Sequence, residues 1–98
     1  MTLEQIIQAL QKFEAPLRKS GVASISIFGS WARGSAGPDS DVDVAVRFAP
    51  KSRINLISAS QIERDIATYL GRRVDLTSEP VAKPSLRREI ERDRVLAF

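Results

Sequence analysis

The stretch from Phe28 to Val46, FGSWARGSAGPDSDVDVAV, constrains the fold of this chain more than any other. A Gly-Ser pair, Gly29 and Ser30, follows an apolar run, and two aspartates, Asp41 and Asp43, follow after ten intervening residues. From the first aspartate onward, polar and apolar residues alternate, as they do in a strand with one buried face. Residues i and i+2 of a strand point to the same side, so both carboxylates are expected on one face.

The valine row of this strand predicts a core face, and the opposite row predicts a face available for chemistry. Aspartate is disfavoured in strands, so two on one face indicate a functional requirement. A divalent cation would relieve the repulsion between them, and carboxylate oxygens suit Mg²⁺. The alternative is that the pair marks a solvated strand end. The expected faces are Val42, Val44, Val46 and Phe48 on one side and Asp41, Asp43, Ala45 and Arg47 on the other.

The composition limits the chemistry that this face can perform. The chain contains no cysteine and no histidine, which excludes disulfides, thiolate metal sites and imidazole bases. Acid–base or metal chemistry must therefore use carboxylates, hydroxyls, Lys and Arg. The net charge of +3 is mild, and acidic and basic residues are interleaved over residues 87–94. We interpret that segment as a solvated helix face and expect no direct binding of nucleic acid.

The length predicts one small domain, residues 1–98, which can bury roughly 60–70% of its unfolded surface. No apolar run approaches the ~20 residues that cross a bilayer, and no signal-peptide pattern opens the sequence. We therefore expect a cytoplasmic protein that does not associate with a membrane.

Helices and strands alternate along the remaining sequence. Pro16 interrupts the first helix and should kink it near Phe13 or begin a separate last turn. Two possible capping boxes, which begin at Ser58 and at Ser60, leave it undecided where the third helix starts. The order α-β-α-β-α-β-α predicts an α/β fold, a small sheet covered by helices, with an apolar tail packed on its core. The expected helices are residues 3–19, 30–33, 55–70 and 86–95, the strands are residues 23–28, 41–48 and 73–77, and the tail is residues 96–98.

Two further features are candidates for the same site. Gly29 and Ser30 lie between a strand and a helix, where a glycine lets the backbone approach a ligand and the helix N-terminus offers N–H groups to an anion. Asp75 lies in the middle of a strand, where an unpaired carboxylate is unfavourable. If its strand is the neighbour of the one that carries Asp43, Asp75 joins the same acidic cluster. Otherwise it is a partly exposed strand residue.

The combination resembles the minimal nucleotidyltransferase (MNT) family, which includes the MntA-type antitoxins. The residues that carry the resemblance are Gly29-Ser30, Ala32-Arg33-Gly34, Asp41-Val42-Asp43 and Val74-Asp75-Leu76. The family is a small branch of the DNA polymerase β-like nucleotidyltransferase superfamily, and the resemblance covers nearly the whole chain. It implies a single small nucleotidyltransferase-fold domain with a short mixed sheet flanked by helices.

The resemblance also implies roles for individual residues. Gly29 and Ser30 would hold the phosphates of ATP, and Asp41 and Asp43 would bind Mg²⁺, with two ions in the site. Asp75 would complete the metal site and help to deprotonate the acceptor hydroxyl.

Three more residues of the same stretch are candidates for the site. Arg33 could reach a phosphate or be a solvated residue before Gly34, and we include Arg33 and Ser40 in the predicted nucleotide-binding set. Trp31 could pack on the core or contact the nucleotide or a partner.

The family implies that the acceptor lies on another protein, because this chain has only the core, whereas larger relatives such as the antibiotic nucleotidyltransferases bind acceptors with extra domains. The implied partner is a HEPN-type toxin, a helical ribonuclease, whose tyrosine would receive AMP from ATP. One alternative is a non-catalytic antitoxin that neutralises its partner by contact. Transfer to a small molecule or a tRNA end is a further, less favoured one. Three mutually repelling aspartates favour the enzyme.

Overall fold

Four strands form one mixed sheet in the computed structural model, which describes all 98 residues. They are β1 (Val22–Phe28), β2 (Val42–Phe48), β3 (Val74–Ser78) and β4 (Val95–Leu96). Their order across the sheet is β3-β2-β1-β4. β1 is antiparallel to β2 and to β4, whereas β2 and β3 are parallel. The two strands that carry the predicted aspartates are therefore direct neighbours.

Five helices cover the two faces of this sheet. They are α1 (Leu3–Lys12), α2 (Glu14–Lys19), α3 (Ser30–Arg33), α4 (Leu56–Leu70) and α5 (Pro84–Asp93). Apolar residues of α1, α2 and α4 form the main core with the valine row of β2, and α5 packs on the opposite face. The predicted α/β fold with a short mixed sheet is confirmed. No helix has both the length and the apolar character needed to cross a bilayer.

The predicted first helix is divided into α1 and α2 at Phe13, where φ is −102° and ψ is 17°. Pro16 causes this division, because it has no N–H for the carbonyl of Lys12 and its ring would clash with that carbonyl. The separate last turn that the sequence allowed is therefore the observed form. The Phe13 ring stacks on the ring of Tyr69 in α4, with centroids 3.9 Å apart and planes 4° from parallel.

The ends of the other helices correct two expectations. α4 begins after Asn55, whose side chain accepts a hydrogen bond from the amide of Ser58 at 2.8 Å, so neither predicted capping box starts this helix. α5 begins at Pro84, two residues earlier than expected, because proline suits the first helical position. The tail packs on the core through buried Ala97, as predicted, and it also contributes β4, which was not predicted.

β2 is covered on both faces, so the prediction of one core face and one free face is only partly right. The valine row is buried in the main core, but Ala45 on the other face is also buried, against Phe28 and Ile90 of α5. Both ends of that face are accessible to solvent, because Asp43 is partly exposed and Arg47 is exposed. The second face is therefore a small core with an acidic end.

The end of α5 is fastened to the sheet by a shielded ion pair. Arg94 donates to both carboxylate oxygens of Glu79, at 2.9 and 2.6 Å, and to the hydroxyl of Ser26 at 3.2 Å. Hydrogen bonds from Arg94 hold the pKa of the Glu79 carboxyl below its usual value. The interpretation of residues 87–94 as a solvated face is therefore right for exposed Arg87 and wrong for Arg94, whose side chain is only 27% exposed.

Candidate active site

The parallel pairing of β2 and β3 places Asp43 beside Asp75. The two residues are register partners, so their side chains lie on the same face of the sheet. Asp43 is partly buried and Asp75 is exposed. The condition under which Asp75 joins the acidic cluster is therefore met.

Gly29 lies against Asp43 because Phe28, the residue before it, pairs with Asp43 across β1 and β2. Its φ of +74° and ψ of −153° belong to a region that only glycine adopts readily. A Cβ atom at this position would collide with Oδ2 of Asp43. Two independent constraints thus require glycine here, and they place the predicted phosphate cradle next to a carboxylate.

Ser30 begins the short helix α3 directly after this glycine. The amide of Arg33 donates to the carbonyl of Gly29 at 3.0 Å, so the amides of residues 30–32 have no acceptor within the helix. Such amides, together with the hydroxyl of Ser30, can donate to an anion.

Burial raises the pKa of Asp43 to about 6, and the negative charges of Asp75, Glu89 and Asp41 add to the shift. The positive charge of Arg33 opposes it. Glu89, on α5, acts more strongly on Asp43 than Asp41 does, and the sequence did not predict it as part of this cluster. Four carboxylates thus influence one small region.

Asp41 precedes the first residue of β2 and is paired with Arg73, with 3.1 Å between Nε and Oδ1. No three carboxylates are gathered closely enough to hold a metal ion as they stand. Neither Asp43 nor Asp75 takes part in an ion pair. Mg²⁺ is usually bound by one or two carboxylates together with substrate phosphates. The chemistry of this donor set therefore fits Mg²⁺.

Arg33 is paired with α5 and is not an isolated solvated cation. Its Nη1 lies 2.7 Å from Oδ2 of Asp93 and 3.7 Å from Oε1 of Glu89. The side chain of Asp93 is only 4% exposed, and that of Arg33 is 42% exposed. The pairing places a positive charge near Asp43, and part of the guanidinium remains accessible to solvent.

Ser40 and Trp31 shape the loop that precedes β2. The hydroxyl of Ser40 accepts a hydrogen bond from the amide of Gly37 at 2.9 Å, and its carbonyl accepts one from the indole of Trp31 at 3.3 Å. Trp31 packs against the main core, which confirms the packing interpretation. The predicted role of Ser40 in nucleotide binding stays a prediction.

The residues that sequence reasoning missed lie on α5, because its mixed charges were interpreted as a solvated face. Helical spacing contained the signal. Leu86, Ile90 and Asp93 follow at intervals of four and three residues, so they share one face of the helix. The apolar members of that face indicate that Asp93 also points toward the sheet.

The chain matches the family model described as nucleotidyltransferase domain over residues 3–97. A curated relative, protein adenylyltransferase MntA of Thermococcus cleftensis, is 35% identical over 96 residues, which are 97% of this chain and 95% of the relative. A solved structure of a minimal nucleotidyltransferase is 30% identical and covers 97% of this chain and 95% of its own, with a TM-score of 0.78.

Two solved toxin–antitoxin complexes share the fold at lower identity. One, with AMP-PNP, is 23% identical with a TM-score of 0.72 and covers 100% of this chain and 73% of its own. The other contains the tri-AMPylated Shewanella oneidensis HEPN toxin with its MNT antitoxin; it is 20% identical with a TM-score of 0.70 and covers 99% and 72%. The family match, the close relative and the shared fold agree: this chain belongs to the nucleotidyltransferase domain family, and within it to the minimal nucleotidyltransferases.

Proposed function

We propose that this protein transfers AMP from ATP to a hydroxyl of a HEPN-type toxin, most simply a tyrosine hydroxyl, and thereby acts as its antitoxin. One observation carries the proposal: Asp43 lies between Asp75, its register partner, and Gly29, whose backbone approaches its carboxylate. A module that acted by contact alone would have no physical need for carboxylates that repel each other at a half-buried position.

The relatives support the choice of nucleotide and partner. The Thermococcus cleftensis relative is named a protein adenylyltransferase. Of the two complexes with the same fold, one contains AMP-PNP and the other an AMPylated HEPN toxin. ATP and a HEPN toxin are therefore the substrates that we propose, and we propose the cytoplasm as the site of the reaction. We also propose that residues 1–98 form one domain and that the acceptor is supplied by the toxin.

In this reaction, the amides of residues 30–32 and the hydroxyl of Ser30 donate hydrogen bonds to the triphosphate. Arg33 adds a positive charge at the same end of the site. The acceptor oxygen attacks the α-phosphorus, the bond to the bridging oxygen of the β-phosphate breaks, and pyrophosphate leaves. Asp75, which is exposed and has no cationic partner, is placed to take the proton of the acceptor hydroxyl.

Asp41, Asp43 and Asp75 are the residues that would hold Mg²⁺, and we propose two ions. Bound Mg²⁺ would neutralise the negative charge that the triphosphate and the departing pyrophosphate carry. The carboxylates themselves give the site a negative charge, and Glu89 adds to it.

The experiment that tests this proposal separates catalysis from contact. The protein and its Asp41→Asn/Asp43→Asn variant are each mixed with the HEPN toxin of the same organism, ATP and Mg²⁺. The mass and the ribonuclease activity of the toxin are then measured. We expect the wild type to add at least one AMP and to silence the ribonuclease, and the variant to bind the toxin without doing either. Equal silencing by the variant, with no gain in mass, would show that contact alone neutralises the toxin.

A further inference from the structure

The four residues that lead into β2, Pro38 to Asp41, are each held by a side chain from another part of the chain. We call these four residues the aspartate loop. The side chains that hold it belong to Trp31, Arg72 and Arg73, which we call the clamp. The contacts are Arg72 Nη1 to the Pro38 carbonyl at 3.2 Å, Arg73 Nη2 to the Asp39 carbonyl at 3.4 Å, Trp31 Nε1 to the Ser40 carbonyl at 3.3 Å, and Arg73 Nε to Asp41 Oδ1 at 3.1 Å.

The clamp is itself anchored on regular structure. Trp31 belongs to α3 and packs against the main core. The guanidinium carbon of Arg72 lies 4.9 Å from the centre of the Trp31 ring, within the range of a cation–π contact. The carbonyl of Arg73 accepts a hydrogen bond from the amide of Val42 at 3.0 Å, which ties it to β2. The clamp can therefore transmit the rigidity of the core to the aspartate loop.

Apart from the clamp, the aspartate loop is supported by a turn in which Ser40 and Gly37 exchange two hydrogen bonds, Ser40 N–H to the Gly37 carbonyl at 3.2 Å and Gly37 N–H to the Ser40 hydroxyl at 2.9 Å. It lies outside every helix and strand, and Pro38, Asp39 and Asp41 are exposed. The loop and the arginines line one polar cleft of about 460 Å³, formed by residues 38–41 and 71–73. Without the clamp, the loop before Asp41 would keep only the Gly37–Ser40 turn, and the distance of Asp41 from Asp43 would vary more.

We propose that the clamp is a positioning device for Asp41, in which Trp31 and Arg72 hold the aspartate loop and Arg73 neutralises Asp41 until a divalent cation replaces it. The inference rests on the proposed function, which makes Asp41 a Mg²⁺ ligand. The side chains of Arg73 and Asp41 are 79% and 49% exposed, so water weakens their ion pair. A doubly charged ion held by two aspartates can therefore displace this guanidinium.

The test measures how the melting temperature rises with Mg²⁺ alone, without nucleotide or turnover. Trp31→Phe keeps the charge and the aromatic ring but removes the donor to Ser40. We expect the half-saturating Mg²⁺ concentration to rise roughly two- to tenfold, the effect of one ordinary hydrogen bond. Arg73→Gln removes the competitor of Mg²⁺ together with only one long hydrogen bond, to the Asp39 carbonyl at 3.4 Å. The same concentration should therefore fall roughly two- to fivefold.

Arg72→Gln is the matched control for charge, because it removes a positive charge from the adjacent residue. The clamp predicts that Arg72→Gln weakens Mg²⁺ binding, opposite in sign to Arg73→Gln. An electrostatic effect through space predicts tighter binding for both variants, and that result would overturn the inference. An unchanged or lower half-saturating concentration for Trp31→Phe would overturn it as well. If Trp31→Phe fails to fold, the comparison of the two arginine variants decides the question.

Failure of this inference can be told apart from failure of the proposed function. If Mg²⁺ stabilises the wild type but not Asp43→Asn, the proposed metal site is supported, and the clamp variants then test only how Asp41 is positioned. If the wild type shows no response to Mg²⁺, with or without a non-hydrolysable ATP analogue, the proposed function fails and this inference fails with it.

Discussion

At Asp43, the stability of the fold and the proposed reaction make opposite demands. Burial and the neighbouring carboxylates raise its pKa to about 6, which means that the folded state disfavours the charged form. The proposed reaction nevertheless needs the carboxylate to be charged. A residue that destabilises its own fold at neutral pH is typical of a functional site.

Asp43→Asn should therefore stabilise the metal-free protein at pH 7.5. Because the folded pKa lies above the ordinary 3.8, the folded protein binds more protons than the unfolded one between pH 3.8 and about 6, and stability falls as the pH rises through that window. The expected gain in the free energy of unfolding is about 1 kcal/mol, which allows for solvent screening at this partly exposed site. Urea unfolding at pH 7.5 and near pH 4 measures it.

Asp65→Asn, on α4, is the control for the change of residue type, because Asp65 is partly buried and forms no ion pair. The gain should be confined to Asp43→Asn and should vanish near pH 4, where Asp43 is protonated in the wild type. An equal gain at both pH values would show that charge on Asp43 is not its cause.

Gly29→Ala should destabilise the protein more than a positive φ alone can explain. The backbone at Gly29 excludes other residues, and the added Cβ would also collide with Asp43. Gly34→Ala is the control for a positive φ without a collision, because Gly34 has a φ of +78° and nothing within 4 Å of its added Cβ. Its ψ of 17° lies in the left-handed helical region, whereas the ψ of −153° at Gly29 adds backbone strain to the collision. We expect a loss of about 1 kcal/mol for Gly34→Ala and at least about 2 kcal/mol for Gly29→Ala, measured by urea unfolding. Equal losses would contradict the close approach.

At the scale of elements, α5 sets the shape of the acidic site without containing a predicted site residue. Its Ile90 closes the small core over Ala45, and its Asp93 holds Arg33 near the proposed phosphate cradle. The Glu79–Arg94 pair then fastens the end of the helix to the sheet. The position of Arg33 therefore depends on how firmly α5 is attached.

Arg94→Met should be strongly destabilising at neutral pH, because it leaves the Glu79 carboxylate shielded and without its closest partner. We expect a loss of about 3 kcal/mol in urea unfolding at pH 7. The pKa of Glu79 is lowered from 4.5 in the wild type, so the ion pair stabilises the fold above pH 4.5 and this contribution disappears as the pH falls through the lowered pKa. The loss should therefore shrink at acid pH.

Adding Glu79→Gln to Arg94→Met removes the stranded charge and should recover part of the lost stability at pH 7. Arg47 remains near Glu79, at 3.7 Å, in both variants. If the double variant is as unstable as Arg94→Met, the shielded charge that Arg94 no longer holds is not the reason for the loss.

Whether a helix or strand could be predicted from the sequence depended on its length and on how regular its residue pattern is. β1 and β2 alternate over enough residues to be recognised, and Gly71 ends α4 in the left-handed region, as its position after Leu70 indicated. β4 has only two residues and exists because β1 offers an edge, so no local pattern could predict it. The inward face of α5, which packs on Ala45 and Phe28, differs from β4, because the spacing of Leu86, Ile90 and Asp93 carried a signal that the mixed charges of the segment obscured.

At the scale of the whole molecule, the acidic site and the two most exposed large apolar side chains lie at opposite ends of the sheet. Asp43 and Asp75 stand near the starts of β2 and β3, whereas Leu56 and Ile57, 83% and 77% exposed, begin α4 near the far ends of these strands. An acceptor hydroxyl that reaches Asp75 must therefore approach from the other end of the molecule.

Leu56→Gln/Ile57→Gln should accordingly leave AMP transfer to the toxin unchanged. Both side chains are exposed, so the free energy of unfolding should also change by no more than about 0.5 kcal/mol. Transfer rates and urea unfolding provide the check. A loss of transfer at unchanged stability would place the toxin on this end of the molecule.

The candidate site was predictable from sequence as far as its residues lie close together along the chain. The spacing of Gly29-Ser30 and the aspartates carried the resemblance, and alternation placed Asp43 opposite the valine row. That Asp75 joins them depended on the parallel pairing of β2 and β3, which the sequence left as a condition. The contributions of Glu89 and the clamp could not be predicted, because they arise where α5 and the end of α4 meet the site.

The central claim, nucleotidyl transfer by the aspartate site, is tested most directly by labelling. The protein, its HEPN toxin and Mg²⁺ are incubated with ATP that carries the label on the α-phosphate or, in a parallel reaction, on the γ-phosphate. The account predicts a toxin labelled only from the α-phosphate, and no label with Asp41→Asn/Asp43→Asn. Label that arrives only from the γ-phosphate would mean a kinase and would contradict the account.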